Sequence, residues 1–364
     1  MQRYRLNLTI MRVFNSKKAA VEVQIGWIFV LIVGSLILLF FISVVRSTTK
    51  SSQESKYVDL KQSLQSILAQ AESDVGTTRT IGMPSIALEF DCTGFNIQNA
   101  QSGKISTTYN TIFSPDIIQG REMVTKSQYF EMPYKVDYFL YATSKSVRYT
   151  FVNYSASCNH DCQKYLQDII KELPANMTLN FVSDASTVHE NGYYKERFIF
   201  LNQDPTNFPI FSGMKNSDMT AIKISSLDNS IYYYNKTNTG WSTPSATAYL
   251  GTSMLIGAII SEESLYECNA RKALVKYKIL TTLYANRTQV LKDFYYQASP
   301  DSAEYVCYQK YDQLNIASTI NSLDQFINGN KFDSSAFNSI SSTADLLKQS
   351  NEKTLMILSC PLIY

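Results

Sequence analysis

Residues 25–45 read IGWIFVLIVGSLILLFFISVV, 21 residues without a charge, the most polar of them Ser35 and Ser43. As an α-helix rising about 1.5 Å per residue, the stretch reaches roughly 32 Å, enough to cross the hydrocarbon core of a bilayer. A buried core helix is usually shorter or carries a polar stripe, and neither description fits. The stretch therefore predicts a membrane-spanning helix. Its apolar run exceeds the roughly 7–15 residues of a cleaved secretory signal. Arg46-Ser47-Thr48 follows it, with no small-x-small cleavage site, so an uncleaved anchor is expected.

The flanks orient this helix. Residues 1–20 carry Arg3, Arg5, Arg12, Lys17 and Lys18 and no acid. The chain's net +2 less that leader's +5 leaves −3 for the remainder. Basic flanks stay on the cytoplasmic side, so a leader of residues 1–24 is expected inside and the bulk of the chain outside. A slightly acidic body gives no electrostatic case for nucleic acid. The expected partners are the lipid bilayer and other copies of the chain or pilin-like subunits.

All six cysteines lie after residue 90, in the part expected outside, where disulfides persist. Six cysteines allow 15 full pairings. Cys268 with Cys307 is the expected pair, since each lies beside an expected helix end. Four glycosylation triplets begin at Asn153, Asn176, Asn235 and Asn286. They permit glycosylation in an exported protein without demonstrating it.

The leader ends Lys17-Lys18-Ala19-Ala20-Val21, directly before the apolar helix. This junction resembles the class III signal of archaeal type IV pilins. The resemblance covers about 30 residues and implies a prepilin peptidase cut between Ala19 and Ala20, freeing a helix that packs into a filament core. Many pilins carry Glu at the fifth mature position, whereas this chain has Gln24 there and Glu22 two places earlier. The same residues also read as a plain basic cluster beside a membrane helix. The whole chain resembles uncharacterised archaeal single-pass membrane proteins with a basic leader, an anchor and a β-rich exterior, a resemblance that implies no activity.

Beyond the anchor, Tyr57, Leu60, Leu64, Ile67, Leu68 and Ala71 recur at helical spacing, predicting a helix over 51–73 continuous with the anchor. Its apolar stripe needs a partner, which the following domain supplies more simply than a second copy does. Short aromatic and β-branched runs punctuated by Gly and Pro over 85–154 predict strands. Residues 163–173 predict a helix and 177–182 a strand, completing a βαβ unit with 147–154. Residues 196–201 add a strand, and 221–225 with 231–234 a hairpin around Asp228-Asn229. The apolar run 249–260 is too short to span a membrane and is expected as a buried strand. Helices are expected over 262–296, 312–327 and 335–348, and a closing strand over 355–364. The expected fold class is α+β: a transmembrane helix (25–45), an amphipathic stalk helix (46–75), a mixed β-sheet domain (76–260) and a helical part on the same domain (261–364).

Chemistry is sparse. Cys158-Asn159-His160-Asp161-Cys162 mixes metal-ligand types, but no second Cys/His pair stands at zinc-site spacing, so disulfide bridging in a helix-capping loop is the simpler reading. His189 lies in a polar stretch and reads as a solvated loop residue. Ser47-Thr-Thr-Lys50 and Ser350-Asn-Glu-Lys353 satisfy Ser-x-x-Lys without its companion motifs. The 25 tyrosines include Tyr193-Tyr194, Tyr232 to Tyr234 and Tyr295-Tyr296. These can build a binding face or alternate between core and surface, and alternation is favoured. No catalytic, cofactor or metal residue is assigned. The expectation is a membrane-anchored structural or interaction protein, with a membrane-tethered glycosyltransferase-like enzyme or a ligand-sensing ectodomain as alternatives. Against the enzyme stands the lack of Asp-x-Asp, and against the sensor a cytoplasmic side of only 24 residues.

Overall fold

A computed structural model describes residues 17–70, 74–83, 86–98, 104–107, 110–152, 160–189, 192–206, 214–314, 316–329 and 334–364. The chain divides into two compact units, Met1–Asp59 and Leu60–Tyr364.

Helix α1 begins at Lys17 in the first unit and runs unbroken to Gln70, its residues from Leu60 counting with the second. Its segment Trp27–Thr49 has a mean hydropathy of 3.1 and none of it is buried. It is the one helix among the described residues long and apolar enough to cross a membrane. Ser35, Thr48 and Thr49 return their hydroxyls to carbonyls one turn earlier, which satisfies those donors within the helix.

In chain order the second unit adds β1 (Thr78–Gly82), β2 (Ala87–Asp91), β3 (Gly94–Ile97), β4 (Ile105–Ser106), β5 (Thr111–Phe113), β6 (Ile117–Gln119), β7 (Glu122–Glu131), β8 (Lys135–Ser144) and β9 (Val147–Val152). Helix α2 (His160–Glu172), β10 (Thr178–Val182), β11 (Lys195–Leu201), β12 (Met219–Ser225), β13 (Ser230–Asn235) and β14 (Ser245–Ala248) follow. Five helices close it: α3 (Gly251–Ile260), α4 (Glu263–Tyr296), α5 (Ala303–Asp312), α6 (Ile316–Asn328) and α7 (Ser334–Gln349), the last running into a π-helical turn, Ser350–Leu355. Mixed α+β architecture is thus observed.

Three sheets form, in the orders β1-β7-β8-β5, β4-β3-β2-β6 and β10-β9-β11-β12-β13-β14. In the six-stranded sheet β10, β9, β11 and β12 are parallel, with β13 and β14 added antiparallel. The β9–α2–β10 crossover is the expected βαβ unit, burying Leu166 and Ile169 of α2 and Leu173 just past its end. The expected hairpin is β12–β13, turning at Asn229 with φ +53°. Leu64, on the α1 stripe, is buried and closes a small gap with Phe90, Ile112 and Leu140.

Three expectations fail. Residues 249–260 are not a strand: α3 occupies them, buried from Met254 to Ile260. A helix apolar on every side loses the period that distinguishes it from a strand. It is possible here because protein covers both flanks. Gly257 lies against the Phe113 ring of β5, where a Cβ would come within 2.7 Å of ring carbons. Opposite, Tyr233 of β13 donates its hydroxyl to Ala258 O at 3.1 Å. Residues 355–364 do not return to a sheet. Their backbone is held instead by Asn351, whose side chain accepts from Ile363 N at 2.6 Å and donates to Tyr364 O at 3.1 Å.

The pairing Cys268–Cys307 is also incorrect. Cys268 joins Cys92, and Cys307 joins Cys360. Both cysteines do sit on helices, but Cys268 on α4 faces the β2–β3 turn, and Cys307 on α5 faces the terminal segment. The bridges span 176 and 53 residues, separations that local spacing cannot reveal.

Candidate functional site

Three features stand out: a buried charge cluster, a cavity among the C-terminal helices, and a bare face on α4. The first begins with Lys195, Glu196 and Arg197, three successive charges opening the otherwise apolar β11. Alternation sends Glu196 to one face of the sheet and its neighbours to the other. All three are at least 94% buried.

Arg197 is the pivot of the inner cluster. It accepts nothing and donates to Thr220 Oγ1 (3.1 Å), Ile259 O (3.1 Å) and Ser261 O (2.5 Å), and it pairs with Glu262 Oε2 at 2.5 Å. Two of those acceptors are carbonyls left open where α3 ends, so the guanidinium caps the negative end of the helix dipole. Lys195 bridges Glu262 (2.5 Å) and Asp116 (2.7 Å). Burial works against ionisation of Asp116, but Lys195, the Ile117 amide and Arg197 together hold the carboxyl below its ordinary range. Burial pushes the nearby Tyr149 hydroxyl up to about 12. The charges are paired within the cluster, which ties the sheet to the end of α3 and the start of α4, although Ser261 Oγ is buried without a hydrogen-bond partner.

On the outer face Glu196 pairs with Arg148 of β9 at 2.6 Å and accepts from Thr150 Oγ1 at 2.5 Å. Arg148 also reaches His189 O at 2.8 Å and stacks 4.7 Å from the Tyr193 ring centroid. Burial raises the Glu196 carboxyl above its ordinary range despite these partners.

The cavity, about 450 Å³, opens among α4, α5, α6, α7 and the π-helical turn. Tyr134 and Tyr277 join aliphatic side chains including Leu314, Ile316 and Leu355 to form apolar wall, while Thr281, Thr319, Thr343 and Ser350 contribute hydroxyls and Lys310 a cation. Tyr134 Oη meets Thr281 Oγ1 at 2.5 Å. This is the size of a pocket for one small organic molecule. Ser350 lines it, but Lys353 is exposed and outside the lining, so Ser350-x-x-Lys353 forms no dyad there.

The third feature is a row on α4. Ile279, Leu283, Val290 and Phe294 are between 59% and 73% exposed. The opposite side of α4 buries Ala270, Ala273, Leu274, Tyr277 and Thr281, and ion pairs Lys278–Asp324 and Lys292–Asp312 tie it to α6 and α5.

The remaining sequence candidates disperse. Ala19 and Ala20 lie in the first turns of α1. Asn153 and Cys158 fall outside the described residues, and His160 and Cys162 open α2. Asn176, with φ +70°, Asn235 and Asn286 are exposed. His189 is exposed, as expected. The tyrosine clusters alternate: Tyr233 enters the inner core while Tyr232 and Tyr234 lie against the outer one. Among the described residues, no group of three or more His, Cys, Asp or Glu is placed to hold a metal ion. Charges opening an apolar strand were the one visible signal for the clamp. The cavity had none, because its walls come from five separate segments.

No protein family matches the chain, and neither a curated protein nor a solved structure matches it.

Proposed function

We propose that this chain is a membrane-anchored extracytoplasmic protein that acts by binding and assembly, a pilin-like subunit or surface interaction module. The observation that carries the reading is α1: a span without charge over 25–45, with nothing buried in Trp27–Thr49, inside one helix that continues to Gln70. Disulfides Cys92–Cys268 and Cys307–Cys360 support an exterior location, where oxidising conditions keep such bridges closed. Leader residues 1–24 then stay inside, and Ala19-Ala20 is the cut point in the pilin-like version.

N-terminal sequencing of protein extracted from membranes tests the processing. A chain starting at Ala20 supports the pilin-like form, and an intact Met1 removes it. External protease on whole cells tests the topology: loss of the 60–364 unit is expected, and full protection would refute the reading.

The 450 Å³ cavity favours a second reading, a ligand-sensing ectodomain. Its lining holds one cation, Lys310, and no carboxylate, which suits a small amphipathic anion. Saturable binding of octanoate but not octylamine to the purified protein would support it.

A further inference from the structure

We infer that Lys195 and Asp116 condense into an intramolecular amide, Lys195 Nζ bonded to Asp116 Cγ, with Glu262 carrying a proton between them. The reactants are already in place. Lys195 Nζ lies 2.7 Å from Asp116 Oδ1 and 2.5 Å from Glu262 Oε1, and its side chain is 7% exposed. An N···O distance of 2.7 Å leaves Nζ roughly 3.5 Å from the carboxyl carbon, the range of a near-attack pair. The Ile117 amide donates to the same Oδ1 at 2.9 Å. That bond holds the carboxyl toward the amine and steadies the negative charge developing on the oxygen that stays.

The surroundings fix this geometry. Tyr194, the residue before Lys195, donates its hydroxyl to Ile117 O at 2.8 Å and accepts from Gln119 N at 3.4 Å. The start of β11 therefore holds the backbone beside Asp116. Arg197 pairs with Glu262 Oε2, leaving Oε1 to the lysine. Lys223, Lys278 and Lys292 also meet carboxylates, but with side chains 22–36% exposed, where water keeps both ions charged.

The condensation needs no oxidant and no added reagent. One proton passes from the Lys195 ammonium to the Asp116 carboxylate, turning the ion pair into an amine and an acid. The amine nitrogen adds to Cγ, and its second proton goes to Glu262. Glu262 returns that proton to the leaving oxygen, the Cγ–O bond breaks, and one water departs. The Asp116 side chain is 54% exposed, which gives the water an exit. One positive and one negative charge vanish together, so the buried ammonium no longer costs desolvation and Arg197 keeps Glu262. Its partners hold Asp116 ionised beforehand, so the ion pair is the resting reactant and linking is a slow maturation. Newly folded protein carries a titrating Asp116. Matured protein carries an amide that ties the β5–β6 connection to β11, 79 residues away.

Peptide mapping of the full chain by mass spectrometry tests this, on reduced protein fresh from membranes and after prolonged warm incubation. Trypsin is expected to stop at Lys195, whose side chain is then an amide, and to release residues 105–121 joined to 172–197. That branched peptide should be lighter than the sum of its two parts by about 18 Da, one water. Glu262→Gln should slow its appearance roughly a hundredfold. Lys195→Arg should abolish it. Far-UV circular dichroism shows whether each variant folds, and the parent chain carries the test if one does not. Cleavage at Lys195 with no branched peptide in the incubated parent would overturn the inference, as would a lost water mapped to other residues. Linking at the parent's rate in folded Glu262→Gln would overturn the role given to Glu262.

Discussion

The two faces of β11 bury charge in opposite ways. On the outer face, Glu196 and Arg148 belong to neighbouring strands of one sheet and satisfy each other. On the inner face, Lys195 and Arg197 reach out of the sheet to Asp116, Glu262 and the carbonyls ending α3. The outer pair is a local match that the sheet would survive without. The inner cluster joins three layers, and α3 has no other cation at its C-terminal end among the described contacts. Burying charge is costly in both places, but only the inner cluster returns architecture for that cost.

The comparison breaks most visibly at Arg197. Arg197→Met should destabilise the protein by about 3–5 kcal/mol, since it leaves Glu262 with Lys195 alone and reopens two buried carbonyls. Urea unfolding of the detergent-solubilised chain, followed by far-UV circular dichroism, measures this. A loss below ~1 kcal/mol would mean that the clamp is ornamental.

Removing the outer pair whole should cost less. Arg148→Met with Glu196→Leu is expected to stay within about 2 kcal/mol of the parent in the same assay, because both charges leave together. Either single change should cost more than the double. If the double matches Arg197→Met, the two faces do not differ as argued.

The finest distinction is in pH. Glu196 is raised in the folded state, so its proton binds more tightly there than in the unfolded chain. Its contribution favours the fold at low pH and falls as pH rises through the carboxylate range. Asp116 is lowered, so its contribution is present above the unfolded carboxylate pKa and is lost as pH falls through the folded one. Stability curves between about pH 3 and 7 should therefore bend oppositely for Glu196→Gln and Asp116→Asn relative to the parent. Asp116 is half-exposed, so its effect should be under ~1 kcal/mol. Curves bending the same way would contradict the opposed environments.

Much of this fold was legible. The long apolar helix followed from length and lack of charge, the βαβ unit and the β12–β13 hairpin from periodicity and turn residues, and α4, α6 and α7 from helical spacing. Each signal is local, carried within about 20 residues. Residues 249–260 were illegible because a helix buried on all sides has no polar face to set its period. The cysteine partners were illegible because bridges across 176 and 53 residues depend on which turn meets which helix. The candidate surfaces divided in the same way. The exposed row on α4 was written as apolar residues at helical spacing, yet the sequence could not say that Leu283 faces water while Leu274 faces the core. The cavity walls, drawn from five segments, left no trace at all.

What the sequence by itself determined was the long apolar N-terminal helix, the mixed α+β class and the positions of charge within strands, since these depend on hydrophobicity and backbone period along short stretches. Only the tertiary structure decided that α3 is a helix, that Arg197 caps it, how the cysteines pair and which face of α4 remains bare. Those outcomes are set by which surfaces meet, and burial belongs to pairs of segments rather than to either one alone.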